Sequence, residues 1–368
     1  MEAGRVNLAE SMPHLIPKRI SLATQAADAM REGMASGVWT GWLPGERVLC
    51  ERLQVSRPTL RVALQKLQKE GWLRVETNRR RRILRRAHTG RPASNVVGLL
   101  TPLPLYAVPP LTLFWIDELR DHLTEAGYRL EIHHGERFYR ENPKKSLAPL
   151  VQQTRAAGWV LWLSTARVQR WFSEKNVPCL VMGSCHEGIS LPSLDLDHRG
   201  VCRHAVAQFL AKGHERIAFI IHTGGFAGDL ESVHGVEEAH AQFGGSTPPP
   251  EIVWHDGSPE GIIHRLNALF RGPRPPTAFL VARSATVLTV LGYLLKRGAK
   301  FPQDTLLISR DHDPFLEYMV PTVARYALNP RHYAKVASRI VIQLAAGESV
   351  LEREIRLTPE LIKGETFR

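Results

Sequence analysis

Arginines set the chemistry open to this chain. In Ser56-Arg57-Pro58-Thr59 a residue suited to capping a helix is followed by a proline in the first helical turn, where its missing N–H costs nothing. Leu60, Leu64 and Leu67 recur at i, i+4 and i+7 and form one apolar stripe. Arg57, Arg61, Gln65 and Lys66 are left for other faces. A short capped helix with an arginine-rich open face is what the DNA major groove accepts. An ordinary amphipathic surface helix would read the same way, so the surroundings decide. Downstream, WLRVETNRRRRILRR at 72–86 reads as two short strands around a turn at Thr77-Asn78-Arg79. The run Arg79 to Arg82 in that hairpin carries strong like-charge repulsion unless phosphates neutralise it.

The distribution of charge favours the DNA reading. The 368-residue chain has a net charge of +12. Residues 1–92 hold 18 Lys+Arg against 8 Asp+Glu, whereas the remaining 276 residues hold 30 against 28. A basic module is joined to a nearly neutral one, which suggests a polyanion partner for the first quarter alone. Hydrophobic content of 43% and charged content of 23% fit an ordinary globular protein. No apolar run of about 18 residues is present and the first residues lack the core of a signal peptide, so no membrane association and a cytoplasmic location are expected. Cys50, Cys179, Cys185 and Cys202 form no CxxC pair and read as thiols in a reducing compartment. His133, His134, His186, His222, His255 and His312 fall mostly at strand ends, but no pair has the spacing that fixes two metal ligands on one element. No metal and no cofactor are expected. His312 between Asp311 and Asp313 has no nucleophile at a definable spacing, so no enzyme is expected either.

These residues need a scaffold. A helix from about Ser21 should be capped by that serine, carry Ala26, Ala29, Met30 and Met34 along one side, and close at Gly37 and Gly41 over Trp39 and Trp42. Residues 1–84 are therefore read as a DNA-binding domain and 85–95, polar and without periodicity, as a linker. From Val96 the pattern changes. Strands are expected at 96–102, 128–134, 158–164, 177–183, 191–197, 215–221, 251–255, 277–282, 304–309 and 322–327. Helices are expected between them, near 111–126, 146–157, 167–175, 199–212, 229–242, 258–271, 284–297 and 331–346. This alternation predicts an α/β architecture of parallel sheets with helices on both faces. Over 96–368 it forms two halves with a cleft between them, a natural ligand clamp.

Residues 21–84 resemble the winged helix-turn-helix of the GntR family of bacterial transcription regulators, through LPGER at 43–47, VSRPTLRVAL at 55–64 and LQKEGWL at 67–73. The resemblance implies DNA contacts from Arg47, from Ser56, Arg57, Thr59 and Arg61 at the start of the recognition helix, and from the wing at Asn78, Arg79 and Arg80. The family wing has glycine where this chain has Asn78 and Arg79. Residues 96–368 resemble the LacI-family effector domain, a periplasmic-binding-protein-like fold. The matching stretches are FLAKGHERIAFI at 209–220, PPTAFLVARSATVLTVLGYLLKRGAKFPQDTLLIS at 275–309 and LTPELIKGET at 357–366. The fold class implied is α/β, a winged helix-turn-helix followed by a two-lobed domain that binds effector and dimerises.

Carried over by position, the family's ligand-gripping arginine falls on Ser232, the polar residue after the strand PTAFLVA on Arg283 or Ser284, and the strand-end aspartate on Asp311. Tyr106 is offered by the first loop, and Trp162 ends its strand toward the expected cleft. Asp197 opens the helix after the mid-domain strand, and IIHTGGFAGD at 220–229 reads as a strand-to-helix turn where some effector domains touch ligand. The expected partners are double-stranded operator DNA, a small-molecule effector that is a carbohydrate, and a second copy of the chain in a homodimer. The expected function is a sequence-specific transcription regulator, a repressor. The alternative is a ligand-independent regulator whose second domain only dimerises or recruits a partner.

Overall fold

The structure, a computed structural model, describes residues 21–35, 38–39, 41–69, 72–76, 80–83, 94–140, 144–348, 350 and 352–368. The wing tip with Asn78 and Arg79, Gly37 and most of the expected linker lie outside the described residues. The chain divides into two compact units, Met1–Thr89 and Gly90–Arg368.

The first unit is built from α1 (Leu22–Ala35), α2 (Glu46–Leu53), α3 (Arg57–Lys69), β1 (Leu73–Val75) and β2 (Arg81–Ile83). Ser21 Oγ accepts the Thr24 N–H and caps α1. The α2–α3 turn passes through Gln54 in the left-handed region, with the Val55 N–H returned to the Cys50 carbonyl. Leu60, Leu64 and Leu67 are buried as their spacing predicts, and Ala63 joins them. They pack with Ala26, Ala27, Met30, Met34 and Leu49 in one core. Two expectations need correction. Ala29 is exposed and Ala27 takes its place, because the buried stripe of α1 runs one residue away from it. Trp39 is buried against Gly33, but Trp42 is 46% exposed and pairs with Arg82 beside the hairpin.

The second unit holds two six-stranded sheets. The chain first runs β3 (Val96–Thr101), α4 (Pro110–Glu125), β4 (Arg129–His134), α5 (Lys144–Thr154), β5 (Gly158–Trp162), α6 (Ala166–Glu174), β6 (Cys179–Met182) and β7 (Ser193–Leu196). It then crosses to the second lobe as α7 (His198–Ala211), β8 (Ile217–His222), α8 (Ala227–Phe243), β9 (Glu251–His255), α9 (Pro259–Leu269), β10 (Ala278–Val281), α10 (Ser284–Lys296), β11 (Leu306–Ser309) and β12 (Ala324–Ala327). α11 (Pro330–Ala345) returns to pack on α4, and β13 (Glu354–Leu357) joins β7 in the first sheet. β14 (Glu360–Ile362) ends on the second sheet. The strand orders are β13-β7-β6-β5-β3-β4 and β14-β12-β11-β10-β8-β9, all parallel except β14 on β12. The chain thus crosses between lobes three times, near 197, 328 and 358.

The apolar runs explain the layers. In β8, Ile217, Phe219 and Ile221 enter one core cluster with α7 and α8, and Ala218 and Ile220 enter another with α9 and α10. A strand covered on both faces has no polar side, so it reads as a continuous apolar run. Burying each phenylalanine or isoleucine contributes roughly 1.5–3 kcal/mol. The α7–α8 contact is closest at Gly235, where a Cβ would lie 2.2 Å from the Arg199 carbonyl oxygen. Gly292 in α10 has open space around it. Helix propensity favours alanine at both by about 1 kcal/mol, but at Gly235 the backbone collision exceeds that gain. Gly235→Ala should lower the unfolding free energy by about 1–3 kcal/mol, whereas Gly292→Ala should raise it by about 0.5–1 kcal/mol. Urea titration of the two variants reads both signs.

Candidate nucleic-acid interface and ligand cleft

In the first unit Arg57, Arg61, Gln65, Gln68 and Lys69 are exposed on α3, opposite its buried stripe. Ser56 and Thr59 join their hydroxyls at 2.8 Å at its N-terminus, and Arg47 is exposed beside Glu51. Glu46 organises this face. One carboxylate oxygen accepts Arg81 of the hairpin at 2.9 Å and the other accepts Arg61 at 3.3 Å. The hydrogen bond from Arg81 holds the Glu46 carboxyl below its usual range, with Arg61 adding to it. Glu46 therefore links α3 and β2 to α2, and it takes up part of the charge of Arg61 and Arg81. The hairpin pairs Arg74 directly with Arg82, and both are exposed, as is Arg80. Like charges facing each other across two strands are unfavourable without a counter-anion. Neither Glu46 nor Arg74 stood out in the sequence. The clue to Arg74 is its place at equal distance from the hairpin turn as Arg82.

In the second unit a polar cluster gathers at the C-terminal ends of the second lobe's strands, where α/β sheets hold ligands. Its centre is Arg310, 5% exposed. Arg310 Nη1 donates to Asp229 Oδ1 and to Ser232 Oγ, both at 2.8 Å. Its Nε and Nη2 donate to the Asp311 carboxylate at 3.1 and 3.0 Å. Burial works against the Arg310 charge, but Asp311 and Asp229 more than offset it and raise its pKa. Burial likewise pushes Asp311 up, yet Arg310 and the Arg283 N–H bring it down to about 2. Arg283 adopts φ 67°, ψ 121°, a conformation that side chains disfavour by about 1–3 kcal/mol. It is held there by its N–H to Asp311 Oδ2 at 2.7 Å. Its guanidinium reaches Asp229 Oδ2 at 3.2 Å and lies over Phe226.

The residues singled out in the sequence fall as follows. Asp311 and Ser232 are spent on Arg310, and Ser232 is fully buried. Ser284 is buried and donates to Asp313 Oδ2 at 2.8 Å. Asp313 Oδ1 accepts the Leu111 N–H of α4 at 3.1 Å, so this carboxylate ties the two lobes. Tyr106 is 92% exposed. Trp162 is half-buried and packs edge-on to Trp115 in the first lobe's core. Asp197 caps α7 by accepting the Gly200 N–H at 2.9 Å. On the first lobe's side, Asp195 accepts Ser184 Oγ at 2.7 Å and sits 3.3 Å from His198. Burial raises the Asp195 carboxyl, but His198 and Ser184 more than offset it and leave it lowered. Arg310, Asp229, Asp313 and Asp195 were not foreseen. Arg310 brings a guanidinium to the hydroxyl of Ser232, the position at which the family has its arginine. Among the described residues no group of three or more His, Cys, Asp or Glu could hold a metal ion. None of their helices is long and apolar enough to cross a membrane.

Comparison with known proteins places both units. Residues 22–83 match the family model "Bacterial regulatory proteins, gntR family", and residues 206–367 match "Periplasmic binding protein-like domain". The "Probable HTH-type transcriptional repressor ExuR" of Bacillus subtilis (strain 168) is 22% identical over 151 residues, 41% of this chain and 45% of that protein. Catabolite control protein A of Streptococcus mutans is 26% identical over 199 residues, 52% of this chain and 57% of that protein. The chain thus spans about half the length of these relatives. Among solved structures, a periplasmic binding protein/LacI transcriptional regulator from Alkaliphilus metalliredigens QYMF, complexed with D-xylulofuranose, superposes with a TM-score of 0.63. It shares 19% identity, over 75% of this chain and 100% of that one. This last likeness establishes the two-lobed fold. Residues 22–83 thus form a domain of the gntR family type, and residues 206–367 belong to a periplasmic binding protein-like domain.

Proposed function

We propose that this protein is a transcription regulator, a repressor, whose first unit binds operator DNA and whose second unit takes a small effector, a sugar, and pairs two copies. The observation that carries the DNA reading is the face formed by Arg57, Arg61 and Gln65 on α3 beside the like-charged Arg74–Arg82 pair, in which Arg82 also meets Glu76 at 3.4 Å. α3 suits the major groove, and the hairpin arginines suit phosphates. One such helix reads only a few base pairs, so a two-fold pair on a near-palindromic site doubles the contacts. Leu105, Leu113 and Phe114 support the pairing, because they are exposed around a cavity of about 280 Å³ on the first lobe. The sugar reading is supported by the D-xylulofuranose bound in the solved relative and by the polar cluster at the strand ends of this chain. Ligand would bias the lobes through the three crossings and the Asp313 tie, and a coupling of about 1–3 kcal/mol would change operator affinity by roughly 5–150-fold. The domain limits 1–84, 85–95 and 96–368 belong to the same reading, with cytoplasmic action.

A second reading has its own observation. Ser232, Ser284 and Asp311 are already paired within the protein. A domain whose polar groups are satisfied could serve pairing alone. Thermal-shift measurements on the full chain against mono- and disaccharides decide between the two. Stabilisation by a sugar supports the effector reading, and silence across the panel favours the pairing-only reading.

Two results are expected on the DNA side. Arg57→Ala should relax base preference in a binding selection, at a cost of about 1–3 kcal/mol on the preferred site; equal weakening on every sequence would assign Arg57 to phosphate. Arg74→Ala should lower the slope of log affinity against log salt by about 1, whereas Arg81→Ala should lower it less, because Arg81 is already paired with Glu46. Titrations between 50 and 200 mM salt test the order, and equal slopes would reject the role given to Glu46.

A further inference from the structure

Beside the Arg310 cluster lies a second group that the pairing above does not satisfy. His222 and His255 end the neighbouring strands β8 and β9 and are register partners. Their rings meet edge to face with centroids 5.8 Å apart. His255 is 2% exposed. Its Nδ1 accepts the Gly257 N–H at 3.0 Å, which places the ring proton on Nε2. That Nε2 is buried and has no hydrogen-bond partner. His222 Nε2 faces the Asp256 carbonyl at 3.2 Å and so donates there, leaving Nδ1 buried and unpartnered. The Arg283 Nε is also buried without a partner. The point where a Cβ on Gly224 would lie is 2.8 Å from His222 Nδ1 and 2.5 Å from the edge of Phe226, the ring beneath the Arg283 guanidinium. The three polar side chains therefore belong to one loop cluster at the strand ends.

The carboxylates around this cluster are engaged, which leaves His222 Nδ1 as its free acceptor. Both oxygens of Asp229 serve Arg310 and Arg283, those of Asp311 serve Arg310 and the Arg283 N–H, and Asp256 Oδ1 takes the N–H and hydroxyl of Ser258. Buried donors without acceptors are costly, and a native site that keeps them is built for something that supplies acceptors. A sugar hydroxyl answers one donor and can give its hydrogen to His222 Nδ1, but it brings no charge to the guanidinium. A carboxylate or phosphate brings acceptors only, and it pairs with a guanidinium through charge-assisted hydrogen bonds.

Resting on the reading that the second unit binds a small molecule, we propose that this molecule carries an oxyanion, a carboxylate or a phosphate, seated on Arg283, His222 and His255. The strained backbone of Arg283 is the kind of conformation that ligand clamps retain. Protonation completes the seat. Burial, aided by His222 and by Arg283, pushes the His255 imidazole down to about 4, while Asp256 and Asp229 oppose the shift. Burial and Arg283 lower His222 in the same way, against Asp229 and Asp256. Without ligand both rings are neutral at pH 7. A bound oxyanion raises the His222 pKa, so binding takes up a proton and strengthens as pH falls, whereas His255, whose Nδ1 accepts the Gly257 N–H, donates from Nε2 as the neutral ring. A proton on His222 Nδ1 turns the cluster's one free acceptor into a donor.

The test is calorimetry on the full chain at pH 7.5 and 6.0, with glucose, galactose and mannose, their uronic acids and their 6-phosphates. The expected result is binding by at least one acid or phosphate without binding of its neutral parent, with affinity severalfold higher at pH 6.0. Uronic acids and phosphates are separate arms, so the panel also identifies the source of the charge. Arg283→Gly keeps the N–H to Asp311 and suits the left-handed backbone. It should remain folded, bind operator DNA as the unaltered chain does, and lose at least about tenfold in affinity for the anion. Binding of a neutral sugar with no preference for its charged forms would overturn the oxyanion and leave the effector reading standing. Anion binding that Arg283→Gly does not weaken, or silence of every charged probe at both pH values, would overturn the proposed seat.

Discussion

Arg310 carries a full positive charge with only 5% of its surface exposed. Such a charge is tolerated only when paired and hydrogen-bonded on every side. That requirement shapes the cleft end of the second lobe. It brings Asp229 and Ser232 from α8 to the end of β11, and it holds Asp311 where that carboxylate can also take the Arg283 N–H. The unusual backbone at Arg283 depends on this last bond. Loss of Asp229 would leave the buried guanidinium with only Asp311 as a carboxylate partner, at a cost of up to about 3–5 kcal/mol. The salt-bridged group is thus scaffold for the residues beside it, and the side chains with donors left over, Arg283 and His255, are the ones available to a ligand.

A similar division of labour holds in the first unit. Glu46 faces two arginines that approach from different elements, Arg61 on the recognition helix and Arg81 on the hairpin. Surface ion pairs alone contribute little. A carboxylate shared by two elements does more for geometry than for stability, because it sets how the helix and the wing strand present themselves together. Its charge also matters. Partial neutralisation of Arg61 and Arg81 by Glu46, and of Arg82 by Glu76, leaves Arg57, Arg74 and Arg80 as the freer cations of the surface.

The architecture was legible from the sequence because its signals are strong and local. Continuous apolar runs such as IAFII in β8 and the stripe Leu60, Leu64, Leu67 admit few placements, and the observed elements lie within a few residues of those expected. The pocket was less legible. Reading residues one position at a time placed Ser232 and Asp311 as ligand-facing, but their partner Arg310 comes from 78 residues away from Ser232, and no spacing rule links them. Ser284 shows the same limit of spacing, since its hydroxyl bonds Asp313, 29 residues away. Tyr106 was chosen for its aromatic ring in the first loop, yet nothing local fixes the direction of an aromatic in such a loop, and it faces solvent. Trp42 failed likewise, because a tryptophan beside a hairpin can cover an edge as well as a core.

In the proposed effector reading, the three crossings are where the second unit would switch. Each lobe owns its own sheet and its own core, so the lobes can change their separation without unpacking either one. What must break is a small set of cross-lobe contacts. Asp313 to the Leu111 N–H and Arg356 to Glu231 are among them. The first is 1% exposed at its carboxylate and the second lies at the surface. A buried charged hydrogen bond is worth about 1.5–3 kcal/mol and an exposed ion pair less than about 1. Their sum is of the size of a typical allosteric coupling, about 1–3 kcal/mol. A ligand that engages Arg283 sits one residue from Ser284, the other partner of Asp313. On the proposed ligand reading, occupancy of the cleft and the buried tie between the lobes would act on the same turn, and that turn is where binding would be converted into lobe movement.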